Sequence, residues 1–252
     1  MERKFYILEN LREADPKTGK ALYDTFKDKA DFVYLPFDSR QKLFDILDHI
    51  KLDVSATNKK PFVHFDCHGN ANGIGVINTD KSEELVEWRE ISNAFRQIYR
   101  NSTKHSVLCM SSCKGFNAVK LVAEKDTCPY DYVSGSFESI SFKDSFEGYK
   151  SFYELVLGGH ELVKAGIQVH KTFDKLKFVC LSASQLFEIA EKGYLNTKRT
   201  PEEIAIEKEK TIQNAKNAVG TLPPEMTAFI DYKYSEAGIA EYLQEWRKIF
   251  FS

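Results

Sequence analysis

Short apolar runs alternate with amphipathic stretches along the first two thirds of the chain, and this alternation is the main structural signal. Lys4–Glu9 reads as a strand. After the turn Asp15-Pro16-Lys17-Thr18-Gly19, Leu22, Phe26 and Ala30 recur at four-residue spacing, one stripe of a helix. Asp31–Phe37 is a second strand. Ser39 can cap a helix carrying Leu43, Ile46, Leu47 and Ile50 on one face, and the polar stretch Leu52–Lys60 reads as a loop. Pro61–Cys67 is a third strand, and Gly73–Asn78 a short one after a Gly/Asn turn. Trp88, Ile91, Phe95 and Ile98 give a helix over Trp88–Tyr99. Ser106–Met110 is a strand, followed by a turn at Ser111–Gly115 and a helix over Phe116–Glu124. Asp131–Ser136 is a strand. Phe146–Phe173 is a long amphipathic helix with a candidate break at Gly158-Gly159, and Phe178–Ser182 is the last strand.

Strands that alternate with helices predict an α/β fold, a mostly parallel central sheet covered on both faces as an α/β/α sandwich. From Ser184 onward only helical patterns remain: the charged segment Pro201–Val219, a break at Pro223-Pro224, and an amphipathic helix over Ser235–Phe251. The expected organisation is therefore one α/β domain over residues 1–183, with residues 184–252 as a helical C-terminal extension packed on it.

Composition narrows the class. The 252 residues are 42% apolar and 29% charged, which excludes collagen-like, coiled-coil and wholly disordered chains. Lys and Arg number 35 against 37 Asp and Glu, so no basic excess points to nucleic acid, and none is expected as a partner. No apolar run approaches the ~18 residues that span a bilayer. The N-terminal apolar run is too short for a signal peptide. The five cysteines are odd in number and lie mostly inside apolar runs, which predicts free thiols in a reducing, cytoplasmic setting.

Two segments carry the candidate chemistry: Val63-His64-Phe65-Asp66-Cys67-His68-Gly69-Asn70 and Val107-Leu108-Cys109-Met110-Ser111-Ser112-Cys113-Lys114-Gly115. Each is an apolar strand that ends in a reactive residue close to a glycine. Open parallel sheets gather ligands at the carboxyl ends of their strands. His68 and Cys113 thus fall where a site belongs. A thiolate is a strong nucleophile, and an imidazole can take its proton. Backbone amides of Gly69 and Cys113 could hold the oxyanion. Cys67 and Cys109 read as small core residues, His64 as a strand histidine, and His160 and His170 as structural or solvent-facing. A zinc site built from His64, Cys67, His68, Cys109 and Cys113 is disfavoured, because strand alternation turns Cys67 away from His64 and His68 and no Cys-x-x-Cys is present. Ser112 lacks the Gly-x-Ser-x-Gly elbow, and Gly69–Gly73 lacks the ending of a phosphate loop. The Lys/Glu-rich run Pro201–Lys216 is a solvated helix face or, alternatively, a partner-binding helix.

The order of strand, His-Gly, later strand and Ser-Cys-x-Gly resembles the clan CD cysteine peptidases of caspase-like fold, and within them the CHAT and separase branch. Gly73-Ile74-Gly75-Val76, Tyr132–Phe137 and Phe152–Gly159 extend the resemblance, which spans Lys4–Ser182. It implies a cysteine endopeptidase with His68 as general base, Cys113 as nucleophile and Gly69 as the oxyanion glycine, needing no cofactor and no metal. Two positions depart from the family pattern. Cys67 stands where an Ala or Gly often precedes the His, and Phe137 replaces a Trp. Relatives that cut after Lys or Arg bind that side chain with an acid. Metacaspase-like members carry it two residues before the cysteine, where this chain has Ser111. Separase-like members carry it after the following strand, where Glu138 and Asp144 stand. Asp66 lies near the same site, and either orients His68 or bonds within the sheet end. The resemblance also implies a protein substrate, a regulatory or activating protein partner, self-processing at Lys198-Arg199, and a role in bacterial immune defence on a partner such as a gasdermin. The alternative is a catalytically silent caspase-like scaffold or sensor. An acyltransferase would use the same dyad.

Overall fold

The computed structural model describes residues 2–103, 105–121 and 127–252. They form two compact units, the first reaching Ala183 and the second made of Ser184–Ser252 together with Thr127.

The first unit is built on six strands: β1 (Arg3–Asn10), β2 (Phe32–Pro36), β3 (Lys60–Cys67), β7 (Val107–Ser111), β8 (Tyr132–Ser136) and β9 (Phe178–Ser182). Their order is β2-β1-β3-β7-β8-β9. Every neighbouring pair is parallel except β8 and β9, which run antiparallel. A separate antiparallel ribbon joins β4 (Gly69–Asn70), β5 (Gly73–Ile77) and β6 (Glu83–Glu87).

Strand alternation divides the side chains between two layers. Phe5, Ile7, Phe62, Val107, Cys109, Phe178 and Cys180 face α1 (Thr18–Phe26), α4 (Phe142–Leu157) and α5 (Leu162–Thr172). That face is strongly aromatic: Phe5 stacks on Phe32 at 4.3 Å, and Tyr153 of α4 meets Phe5, Phe26 and Phe32 edge-on. The opposite face presents residues such as Phe65, which meets Phe95 of α3 (Trp88–Asn101), while α2 (Arg40–Thr57) buries Leu43, Ile46, Leu47, Ile50 and Val54. This is the expected three-layer α/β/α sandwich.

Several expectations change in detail. Residues 52–60 are not a loop: α2 continues to Thr57 and ends at Asn58 in the left-handed conformation. Val54 lies one turn beyond Ile50 and is buried, so the apolar stripe carries the helix through a stretch that is polar on its solvent side. The helix expected over Phe146–Phe173 starts earlier, at Phe142, and the candidate break at Gly158-Gly159 is real: it divides the stretch into two helices, with Gly159 at φ of 92°. The segment after Cys113 is a 3-10 turn over Gly115–Leu121, and the rest of that expected helix, residues 122–124, lies outside the described residues. The short strand β6 has an exposed, acidic face and gave no alternating signal.

The second unit is helical: α6 (Ala183–Lys198) from its second residue onward, α7 (Pro201–Val219), α8 (Pro224–Lys233) and α9 (Glu236–Phe250). Thr200 caps α7 by accepting the Glu203 amide, with Pro201 in the first turn, where its missing N–H costs nothing. Phe187 is buried against Trp246 and Phe250, at 5.1 and 5.2 Å between ring centroids. The Arg199 guanidinium bonds Tyr194 and Glu207. The two tryptophans divide between the units: Trp88 lies in the first and Trp246 in the second, both buried. No helix among the described residues is long and apolar enough to cross a membrane.

Candidate active site

Because β1, β3 and β7 are parallel neighbours, the chain segments that follow them emerge at one end of the sheet. There, Asp66, Cys67 and His68 at the end of β3 and Ser111, Ser112 and Cys113 at the end of β7 line one cavity of about 100 Å3. Ile140, Ser141, Phe142 and Ser145, at the start of α4, complete the wall.

Gly69 is packed against the Cys113 turn. A methyl group on it would come within 3.1 Å of Ser112 Cβ and Oγ and 3.3 Å of the Cys113 carbonyl. A side chain there would have to push the Cys113 turn outward by a few tenths of an ångström, which glycine avoids. The Lys114 amide donates to the Glu138 carbonyl and the Gly115 amide to the Ser112 carbonyl, with Lys114 at φ of 56°, and these bonds fix the turn on which Cys113 stands. The Cys113 thiol lies 3.8 Å from the Ile140 carbonyl and is partly exposed; the four other cysteines are buried.

His68 is held from the β1–α1 loop. Its Nε2 lies 2.7 Å from Asp15 Oδ2 and 3.4 Å from the Arg12 guanidinium. Arg12 in turn pairs with Glu83 of β6 at 2.7 Å. Partial burial works against ionisation of Asp15, but hydrogen bonds from His68 and from the Arg12 amide outweigh it and hold the carboxyl below its usual range. The ring of Phe142 stands edge-on to the imidazole, with centroids 6.0 Å apart.

Beneath the cavity sit two buried carboxyls. Asp66 accepts from Thr18 Oγ1 at 2.6 Å and from Ser111 Oγ at 3.1 Å, and Ser111 is joined to Ser145 at 2.6 Å. Glu9, beside Asp66 in register, accepts from the Tyr34 hydroxyl and the Lys20 amide. The N-terminus of α1 thus meets both acids, as a helix dipole favours. A methyl on Gly19 would come 3.0 Å from both carboxylates, so a glycine here lets the helix approach. Burial, and then the Glu9 charge, push the Asp66 carboxyl up to about 7 against its hydrogen bonds.

No protein-family model matches the chain, and no curated protein matches it.

The site therefore rests on its own geometry. His68, Gly69 and Cys113 come together as the sequence predicts, and Asp66 and Ser111 line the same cavity. Glu138 and Asp144 lie outside that lining: the Glu138 side chain is exposed, and Asp144 bonds the Ser141 hydroxyl at the start of α4. Of the two roles open to Asp66, the structure shows bonding within the sheet end, to Thr18 and Ser111; the carboxylate on His68 belongs to Asp15. Sequence reasoning passed over Asp15 as a turn residue. Its signal was its place just after the first strand, whose end adjoins that of β3. His64, deeper on β3, bonds Tyr153 at 2.7 Å, and burial lowers its imidazole to about 3. Among the described residues, no three His, Cys, Asp or Glu side chains are grouped to hold a metal ion.

Proposed function

We propose that the chain is a cysteine endopeptidase in which Cys113 attacks a peptide carbonyl and His68 carries the proton. The observation that supports this most directly is the convergence of His68 and Cys113 on one cavity at the carboxyl ends of adjacent central strands, with Gly69 packed against the Cys113 turn. In that reaction the S–H bond breaks as His68 takes the proton, and the carbonyl becomes tetrahedral. The proton then passes to the leaving amine, and water releases the acyl group. The Gly69 and Cys113 amides are the candidate oxyanion donors. Asp66, Ser111 and Ser145 give the cavity wall an acidic and hydroxylic lining, and among the described residues the side chains bonded to Asp66 are the Thr18 and Ser111 hydroxyls and no cation, which favours a substrate with a Lys or Arg side chain before the cut. A protein substrate in bacterial defence fits the same reading.

Cleavage of a diverse peptide library by the wild type, Cys113→Ala and His68→Ala tests it. The expected result is cleavage by the wild type, after basic residues, and silence of both variants. Cleavage that survives in Cys113→Ala sinks the nucleophile. The catalytically silent scaffold is the second reading, favoured by the Cys113 thiol facing the Ile140 carbonyl. An unreactive Cys113 together with no cleavage would select it.

A further inference from the structure

We infer that Asp15 is the positioning residue of this site, a carboxylate that fixes the tautomer of His68; the inference rests on the cysteine-peptidase reading above. A neutral imidazole carries its proton on one nitrogen and its lone pair on the other, and the partner of one nitrogen decides which. Two groups approach His68 Nε2. Arg12, at 3.4 Å, can only donate, and would call for a lone pair on Nε2. Asp15, at 2.7 Å, can only accept when ionised, and calls for a proton there. The shorter contact by far belongs to Asp15, while Arg12 makes its own short bond to Glu83 through its other terminal nitrogen. His68 therefore holds its proton on Nε2 and its lone pair on Nδ1, the nitrogen left to receive the Cys113 proton. When that proton moves from Sγ to Nδ1, the imidazolium still shares its Nε2 proton with Asp15, and the new positive charge faces a carboxylate.

Asp15 is itself held in place. Its Oδ2 also accepts the Arg12 amide at 2.9 Å, and the Asp15 amide donates to the Arg12 carbonyl at 3.0 Å. The Lys17 ammonium ties the carbonyls of Leu11 and Arg12, at 2.9 and 2.6 Å. The Arg12–Glu83 pair anchors the same loop to β6. The loop between β1 and α1 is thus a closed set of bonds that presents one carboxylate oxygen to one ring nitrogen.

The test reads the ring directly. Long-range nitrogen–proton spectra of the 15N-labelled full chain, with the His68 signals assigned from His68→Gln, report the tautomer. The wild type is expected to show Nε2–H. Asp15→Asn is expected to populate Nδ1–H and to slow alkylation of Cys113 by iodoacetamide by about tenfold, a part of the hundredfold or more that a general base supplies. Asp15→Glu is expected to recover part of that loss. An Nδ1–H tautomer in the wild type overturns the inference, and this reading needs no Asp15 variant to fold. If His68→Ala slows alkylation but Asp15→Asn changes neither tautomer nor rate, Asp15 loses its role and the dyad stands. A Cys113 rate indifferent to His68→Ala removes the peptidase reading, and the inference with it.

Discussion

Strands β3 and β7 place a histidine beside a cysteine twice. His64 and Cys109 are register partners within the sheet, and His68 and Cys113 follow four residues later, where the strands have ended. The inner rung is sealed. His64 lies edge-on to Tyr149 at 4.6 Å and bonds Tyr153, and burial lowers its imidazole to about 3 while pushing the Cys109 thiol up to about 11. Near neutral pH that rung is an imidazole and a thiol with no charge and no access. The outer rung has a cavity, a carboxylate on its histidine and a partly exposed sulfur. The same two residue types are core in one place and candidate chemistry in the other. What separates them is burial and the groups that surround them.

The largest expected effect is on catalysis. Cys113→Ala should lower peptide cleavage about a thousandfold or more, as loss of a nucleophile does. Cys109→Ala should leave cleavage in place and show its effect in the urea midpoint instead. Equal loss in both variants would erase the distinction between the rungs.

A second contrast lies between His64 and Asp66, which share a face of β3. His64 is held at about 3 in the fold against about 6.5 unfolded, so the unfolded chain binds the extra proton and stability rises with pH between those values. Asp66 titrates at about 7 in the fold against about 3.9 unfolded, so its contribution is complete below about pH 4 and is lost as pH rises to about 7. The two slopes oppose each other from about pH 4 to 6.5. Asp66→Asn should unmask the rising slope, up to about 1.4 kcal/mol per pH unit. His64→Gln should unmask the falling one. Urea unfolding at pH 4.5, 5.5 and 6.5 reads both, and unchanged slopes in both variants would refute the assignment.

Next in size, Tyr153→Phe removes the partner of His64 Nδ1 in a ring whose Nε2 has none among the described residues, and should cost about 1–3 kcal/mol. The smallest expected effect is one of accessibility. In the folded chain iodoacetamide should label Cys113 first, with Cys67, Cys109, Cys128 and Cys180 following on the timescale of unfolding, as peptide mass mapping would show.

Much of this was legible in the sequence, for physical reasons. The stripes of α2 and α3 and the apolar runs of β1, β3 and β7 are burial written as periodicity, and the placing of His68 and Cys113 follows from parallel strands alone. What escaped has no period. Asp15 acts through a loop, and its partner is 53 positions away. The Glu9 and Asp66 carboxyls became neighbours only when β1 paired with β3. The extent of α2 was hidden because Val54 is its single buried residue beyond Ile50.

The distribution of the two indoles offers a handle of a different kind. Trp88 and Trp246 are the chain's entire complement of tryptophan, one to each unit, and both are sheltered from solvent. Each unit therefore contains its own built-in fluorophore. Trp88→Phe leaves an emission signal that follows the helical unit, and Trp246→Phe leaves one that follows the sheet. Two coincident red shifts on heating would describe one cooperative molecule; two separated ones would describe a pair of folding units that share a chain.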